Sequence, residues 1–246
     1  MADEIIKGKN AVLEVLRSPR REVIELIVRR SSSDPRLRMA VEIARRKGIK
    51  LSFQDTEELD RLAEGQKHQG IIAIVSPIRY STLAQILDSA LQSERKPLIV
   101  ILDHIQDPHN LGAIIRTAEV VGAHGVVIPK RRAAGVTPTV VEISSGAADH
   151  IPIARVSNIA AALERLKKAG IWIIGLTPGS ERTIYQLDMT IPLALVIGSE
   201  GKGLSRLVSE RCDVLASIPM FGNIGSLNAS VAAAVALYEA VRQRGF

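Results

Sequence analysis

The sequence has little cysteine and few aromatic residues. Among 246 residues there is one cysteine, Cys212, and the aromatics amount to three Phe, three Tyr and one Trp. A lone cysteine excludes an intramolecular disulfide and a cysteine-clustered zinc site. It fits a reducing compartment, so a cytoplasmic location is expected. With so few rings the core must be built from Ile, Leu, Val and Ala. The same shortage counts against a surface that grips single strands mainly by stacking. Long apolar runs are missing too. The stretches 71–75, 98–102 and 231–238 fall far short of the roughly 18–20 residues needed to span a bilayer. The opening MADEIIKGKN lacks a signal-peptide apolar run, and no membrane partner is expected. Nor is there a GxGxxG turn, a Walker A loop, an HExxH helix or a GxSxG elbow. The five histidines do not fall at ligand spacings, and no metal is expected.

What is present begins with charge. Lys and Arg number 32 against 26 Asp and Glu, a net +6. This balance favours a polyanionic partner, most simply nucleic acid. The excess is local. Residues 17–50 hold eleven Lys or Arg and four acids, and 51–66 are acidic. Residues 1–76 alternate helix and strand, and are expected to form a first domain. Residues 77–95 read as a linker with a short helix, and 96–246 as a second domain. There, apolar strand patterns near 98–102, 126–128, 151–156, 171–176, 193–197 and 214–218 alternate with helical patterns. That alternation implies an α/β fold with a parallel sheet.

Three loops follow predicted strands of the second domain, at the sheet edge where open α/β folds bind ligands. The first is DHIQDPHNLGAIIR, 103–116. Asn110 stands where an N-cap is expected. Arg116, among apolar Ile114, Ile115 and Ala118, would need an anionic partner if it lay near the buried face. The second is Gly198-Ser-Glu-Gly-Lys-Gly203. Its glycines permit close backbone approach to a ligand, and Glu200 supplies a carboxylate. The third, 218–228, contains Ser226 and Asn228, either of which could cap the last helix. Each loop alone is also explained by turns and caps. Their order on one scaffold is the stronger signal.

These segments, Asn110-Leu-Gly-Ala-Ile-Ile-Arg116, 195–204, and Ile218-Pro-Met220 with Ser226-Leu-Asn-Ala-Ser230, resemble the three signature regions of the SpoU (TrmH-type) RNA ribose 2'-O-methyltransferases of the SPOUT class. Gly8-Lys-Asn-Ala-Val12 and His68-Gln-Gly-Ile71 are similar to the substrate-binding domain of the branch that methylates a guanosine ribose in the peptidyl-transferase loop of 23S ribosomal RNA. The resemblance implies a C-terminal SPOUT domain with a deep trefoil knot, a feature nearly absent from proteins in general. It also implies a smaller N-terminal L30e-like α/β domain, a homodimer, and S-adenosylmethionine as methyl donor. The donor would be held near Leu176, Thr177, Gly198, Ile218 and Leu227. Arg116, Glu200, Asn110, Ser226 and Asn228 would carry the chemistry. Arginine stays protonated in proteins, so a guanidinium that binds phosphate and stabilises developing oxyanion charge is physically easier than one acting as a base. The alternatives are a methyltransferase for transfer RNA or another ribosomal RNA nucleoside, and a non-catalytic RNA-binding protein.

Overall fold

The computed structural model describes residues 3–245. They form two compact units. One comprises the chain up to Arg79 together with Val136–His150, and the other comprises Tyr80–Gly135 and everything from Ile151 onward.

The first unit holds a four-stranded sheet in the order β1-β4-β2-β3, with β1 at Glu4–Lys7, β2 at Val23–Arg29, β3 at Lys50–Gln54 and β4 at Ile71–Val75. β1 was not anticipated from the sequence, since four residues carry too little pattern. The sheet is mixed. β4 runs antiparallel to β1 and β2, while β3 lies parallel to β2 at one edge. Helix α1 is Lys9–Arg17. Helix α2, Pro35–Arg46, starts as expected, with Asp34 accepting a hydrogen bond from the Arg36 amide and proline in the first turn. Asp55 caps α3, Thr56–Leu62. Ile27, Leu59, Ala63 and Ile72 pack together beneath it.

Two expectations about boundaries change. Residues 77–95 are not simply a linker. They carry α4, Leu83–Gln92, started by a capping box of Thr82 and Gln85. Its Leu83, Ile86 and Ala90 join the core of the second unit. Gly125 is bare because Ile86 lies against it, with Ile86 side-chain carbons 2.7 Å from where a Cβ would stand. In addition, Val136–His150, expected within the second domain, clusters with the first unit. This segment carries α6, Pro138–Ile143.

The second unit is a seven-stranded, wholly parallel sheet in the order β7-β6-β5-β10-β8-β11-β9. Its strands are β5 Leu98–Asp103, β6 Gly125–Pro129, β7 Ile153–Val156, β8 Trp172–Leu176, β9 Arg182–Thr183, β10 Leu193–Gly198 and β11 Val214–Ser217. Every residue of β5 and β6 is buried, as parallel strands covered on both faces should be. The helices are α5 Pro108–Val120, α7 Ile159–Lys168, α8 Arg206–Arg211 and α9 Ala229–Arg244. Ile99, Ile101, Val127, Ile173 and Val196 meet Leu163 and Leu166 of α7 in one aliphatic core. Among the described residues no helix is long and apolar enough to cross a membrane.

Candidate active site

Helix α5 begins earlier than the sequence suggested. Asp107, not Asn110, is its N-cap, and its side chain accepts from the His109 amide. The Asp-Pro pair at 107–108 is the start signal, with proline suited to the first helical position. Asn110 is therefore a buried residue inside the first turn, and its side chain is released for other work.

That work is to join three chain segments. The Asn110 Nδ2 donates to Glu200 Oε1 at 2.6 Å. The Asn228 Nδ2 donates to the same oxygen at 2.5 Å and reaches Asn110 Oδ1 at 3.0 Å. Asn228 also caps α9, its Oδ1 accepting from the amides of Ser230 and Val231. Asn110, Glu200 and Asn228, chosen from three separate loops, thus form one hydrogen-bonded group. Hydrogen bonds to a carboxylate are stronger than neutral ones, so Glu200 is the hub.

The loop that presents Glu200 is tightly closed. Ser199 and Gly203 exchange backbone hydrogen bonds of 3.1 and 2.8 Å. A Cβ on Gly198 would stand 2.2 Å from the Gly203 carbonyl carbon, so only glycine fits there. Gly203 itself has φ +62°. Asp103, fully buried at the end of β5 and in register with Gly198, anchors the far side. Its Oδ2 accepts from the Ser205 amide at 2.6 Å, and its Oδ1 lies 2.6 Å from His104 Nδ1. Sequence reasoning missed Asp103. The available signal was an acid closing a fully apolar strand.

Two cavities flank this loop. The first has a volume of about 400 Å³ and is lined by all five residues expected to hold a cofactor: Leu176, Thr177, Gly198, Ile218 and Leu227. Ser226 and Glu200 line it too, together with Met220 and Pro178. Its walls are largely aliphatic. The Thr177 Oγ1 is buried with no hydrogen-bond partner among the described residues, which leaves one donor and acceptor for a ligand. An apolar cleft with a few free polar groups suits an organic cofactor of nucleoside size. The second cavity, about 530 Å³, is lined by His104, Gln106, Asp107, Asn110 and Arg132, and shares residues 199–203 with the first. Glu200 and Lys202 therefore border both.

The remaining expected residues are placed differently. Ser226 is exposed and makes no hydrogen bond with the trio. Arg116 lies on the exposed face of α5 while Ile114, Ile115 and Ala118 are buried. It borders neither cavity. The anionic partner anticipated for it is absent among the described residues, and an exposed guanidinium needs none. Burial pushes the Cys212 thiol up to about 12, away from the thiolate form.

Comparison with known proteins adds the following. Residues 97–238 match the model of the SpoU rRNA methylase family, and residues 5–81 match that for RNA 2'-O ribose methyltransferase substrate binding. The chain is 45% identical over 241 residues to the TrmH-family protein YacO of Bacillus subtilis, covering 98% of this chain and 96% of the relative. It is 41% identical over 241 residues to the 23S rRNA (guanosine-2'-O-)-methyltransferase RlmB of Pseudomonas putida, covering 98% and 97%. Among solved structures it is similar to the SpoU methyltransferase AviRb from Streptomyces viridochromogenes in complex with the cofactor AdoMet. The TM-score is 0.81 and the identity 29%, over 99% of this chain and 91% of that one.

Proposed function

The chain belongs to the SpoU rRNA methylase family, and from that premise we propose that it methylates the ribose 2'-hydroxyl of a guanosine in 23S ribosomal RNA, within the peptidyl-transferase loop. One observation supports the methyl-donor part of this reading. Leu176, Thr177, Gly198, Ile218 and Leu227, drawn from four stretches of chain, line a single cavity with the buried, unpartnered Thr177 hydroxyl. Guanosine and 23S RNA are supported by relatives named for that activity. A transfer RNA substrate is the second reading, favoured by the broader tRNA/rRNA name that YacO carries.

S-adenosylmethionine, when bound, supplies a methyl group activated by its sulfonium. The residues of this chain position the reactants and manage charge. The aliphatic walls of the first cavity would hold the cofactor and exclude water from it. The Glu200 hub holds loop 198–203 against Asn110 and Asn228, and so fixes the border between the two cavities. The second cavity, with Arg132 and Lys202 at its edge, takes the nucleotide. Arg116 borders neither cavity of its own chain, so its role requires the homodimer: presented to the site of the other copy, it is a permanent cation that binds an RNA phosphate and steadies charge on the ribose oxygen.

Two further features belong to this reading. The trefoil knot is supported by strand order. β10 inserts between β5 and β8, although both precede it, and after β11 the chain returns so that α9 packs on α5. The homodimer is supported by the apolar face left around α5 and α9, where Val120, Val231 and Tyr238 are 61%, 47% and 50% exposed. Light scattering should give the mass of two chains.

The reaction is tested by tritiated methyl transfer to 23S transcript and to bulk transfer RNA, with the product mapped to nucleotide and 2'-oxygen. Arg116→Ala should lose turnover by about a hundredfold, the scale of removing one charge-stabilising group. Calorimetry should show S-adenosylmethionine affinity unchanged. Near-normal turnover of this variant would remove Arg116 from the chemistry.

A further inference from the structure

Beside the edge strand of the first unit lies a groove of about 300 Å³. Its floor is aliphatic: Val28 of β2, and Leu37 and Val41 of α2. Its rim carries four guanidinium groups, Arg29, Arg30, Arg38 and Arg45, against one acid, Glu42. Arg38, Val41, Glu42 and Arg45 follow helical spacing, so α2 turns a single stripe toward the groove. The opposite wall is Phe53 of β3, which leaves 40% of its surface exposed.

Two features of this groove are unusual. Of the three phenylalanines, Phe53 and Phe221 are exposed, and Phe53 opens onto a groove rimmed by guanidinium groups. The arginines are also idle. The side chains of Arg29, Arg38 and Arg45 make no ion pair or hydrogen bond among the described residues. The Arg30 guanidinium donates only to the Phe53 carbonyl, at 3.4 Å, among the described residues. By contrast Arg17 and Arg61 of the same unit are paired with glutamates. Self-repelling guanidiniums gathered round an aromatic face fit an anionic, planar ligand.

We propose that this groove holds one unstacked nucleotide of the RNA substrate, its base against the Phe53 ring and its flanking phosphates on Arg38 and Arg45. The assignment rests on the RNA-methylating reading above. It goes further by naming a base-stacking subsite outside the reacting pocket. The stacked base is chemically unspecific, because every base has a π-face. The groove therefore selects RNA by shape, requiring a base already free of its helix. Arg29 and Arg30, at the end of β2, close the groove on the side of the base.

The whole 246-residue chain is tested for equilibrium binding of unmodified 23S transcript by filter retention, without methyl donor. Phe53→Ala should weaken binding about tenfold, within the range for losing one stacked base, and leave the salt dependence unchanged. Phe53→Trp should restore it. Phe53→Leu keeps an apolar side chain but has no π-face, and should behave like alanine. The double variant Arg38→Gln/Arg45→Gln should flatten the slope of log affinity against log salt by about 1.4, or about 0.7 for each single-strand phosphate left without its guanidinium. Transcript carrying 5-iodouridine should cross-link to the peptide 51–61. Methyl transfer is assayed separately on the same variants. A wild type that binds and cross-links but transfers no methyl leaves the groove standing and removes the enzymatic reading. Equal affinity for Phe53→Leu and the wild type, or a cross-link confined to other peptides, overturns the groove.

Discussion

Asn228 does two jobs with one side chain. Its oxygen caps α9, and its amide nitrogen binds Glu200 and Asn110. The jobs can be separated by substitution. Asn228→Ala should cost about 1 kcal/mol from the lost cap and should also impair turnover. Asn228→Ser keeps an acceptor for the cap but loses the amide nitrogen that reaches Glu200 and Asn110, leaving one hydroxyl proton on a shorter side chain, so its thermal midpoint should stay near the wild type while turnover falls as in the alanine variant. Thermal unfolding and single-turnover kinetics check the pair. Asn110 shows the limit of sequence reading at this scale. Its position in the first loop made it a candidate, yet the role assigned by pattern was a cap, which Asp107 fills instead. A cap is recognisable from the residues next to it. A hydrogen bond to a carboxylate 90 positions away is not.

Loop 198–203 behaves as one element because its ends touch. Gly198→Ala places a methyl 2.2 Å from backbone that has no alternative position. The two Ser199–Gly203 hydrogen bonds must then open, and Glu200 leaves its partners. Calorimetry should show S-adenosylmethionine binding lost, while circular dichroism retains the helical signal. Binding at wild-type strength would mean that the loop does not shape the first cavity. A Cβ added to Gly201 would meet no atom within 4 Å, so Gly201→Ala is the control and should bind normally. The sequence announced a special backbone here through three glycines in six residues, but it did not show which glycine is indispensable. That depends on contacts between the loop's own ends. Helix α4 teaches the converse. Its short helix was legible, but the apolar stripe looked like linker until packing on β6 made it core.

At the scale of the molecule, the first unit is completed by chain that arrives late, Val136–His150. This segment carries a buried acid. Asp149 is fully buried beside Arg21, whose Nε lies 3.5 Å from it, and neither carboxylate oxygen has a hydrogen-bond partner among the described residues. Burial pushes its carboxyl from 3.8 up to about 6, only partly offset by Arg21. The folded state therefore holds a proton that the unfolded chain releases. This stabilisation is complete below about pH 3.8 and is lost as pH rises through about 6, a loss of at most about 3 kcal/mol. Asp149→Asn should remove that loss. Its stability relative to the wild type, measured by urea unfolding, should improve from pH 4.5 to pH 7.5. A constant difference across that range would show that Asp149 does not titrate as its burial requires.

The residues alone determined an aliphatic α/β chain, a basic stretch at 17–50, six of the strands of a parallel sheet, and three loops rich in functional residue types. Those properties are local: periodicity, composition and turn chemistry act over a few residues. Tertiary structure decided which loop residues meet, that Arg116 stands apart from both cavities, and that Val136–His150 packs with the first unit. It also decided that Phe53 stays exposed among unpaired arginines, although the aromatic count had spoken against stacking. Such outcomes depend on the register of strands distant in sequence and on which side of an element faces the core. A few aromatic residues suffice for a binding surface when the fold leaves one of them uncovered beside unpaired charge.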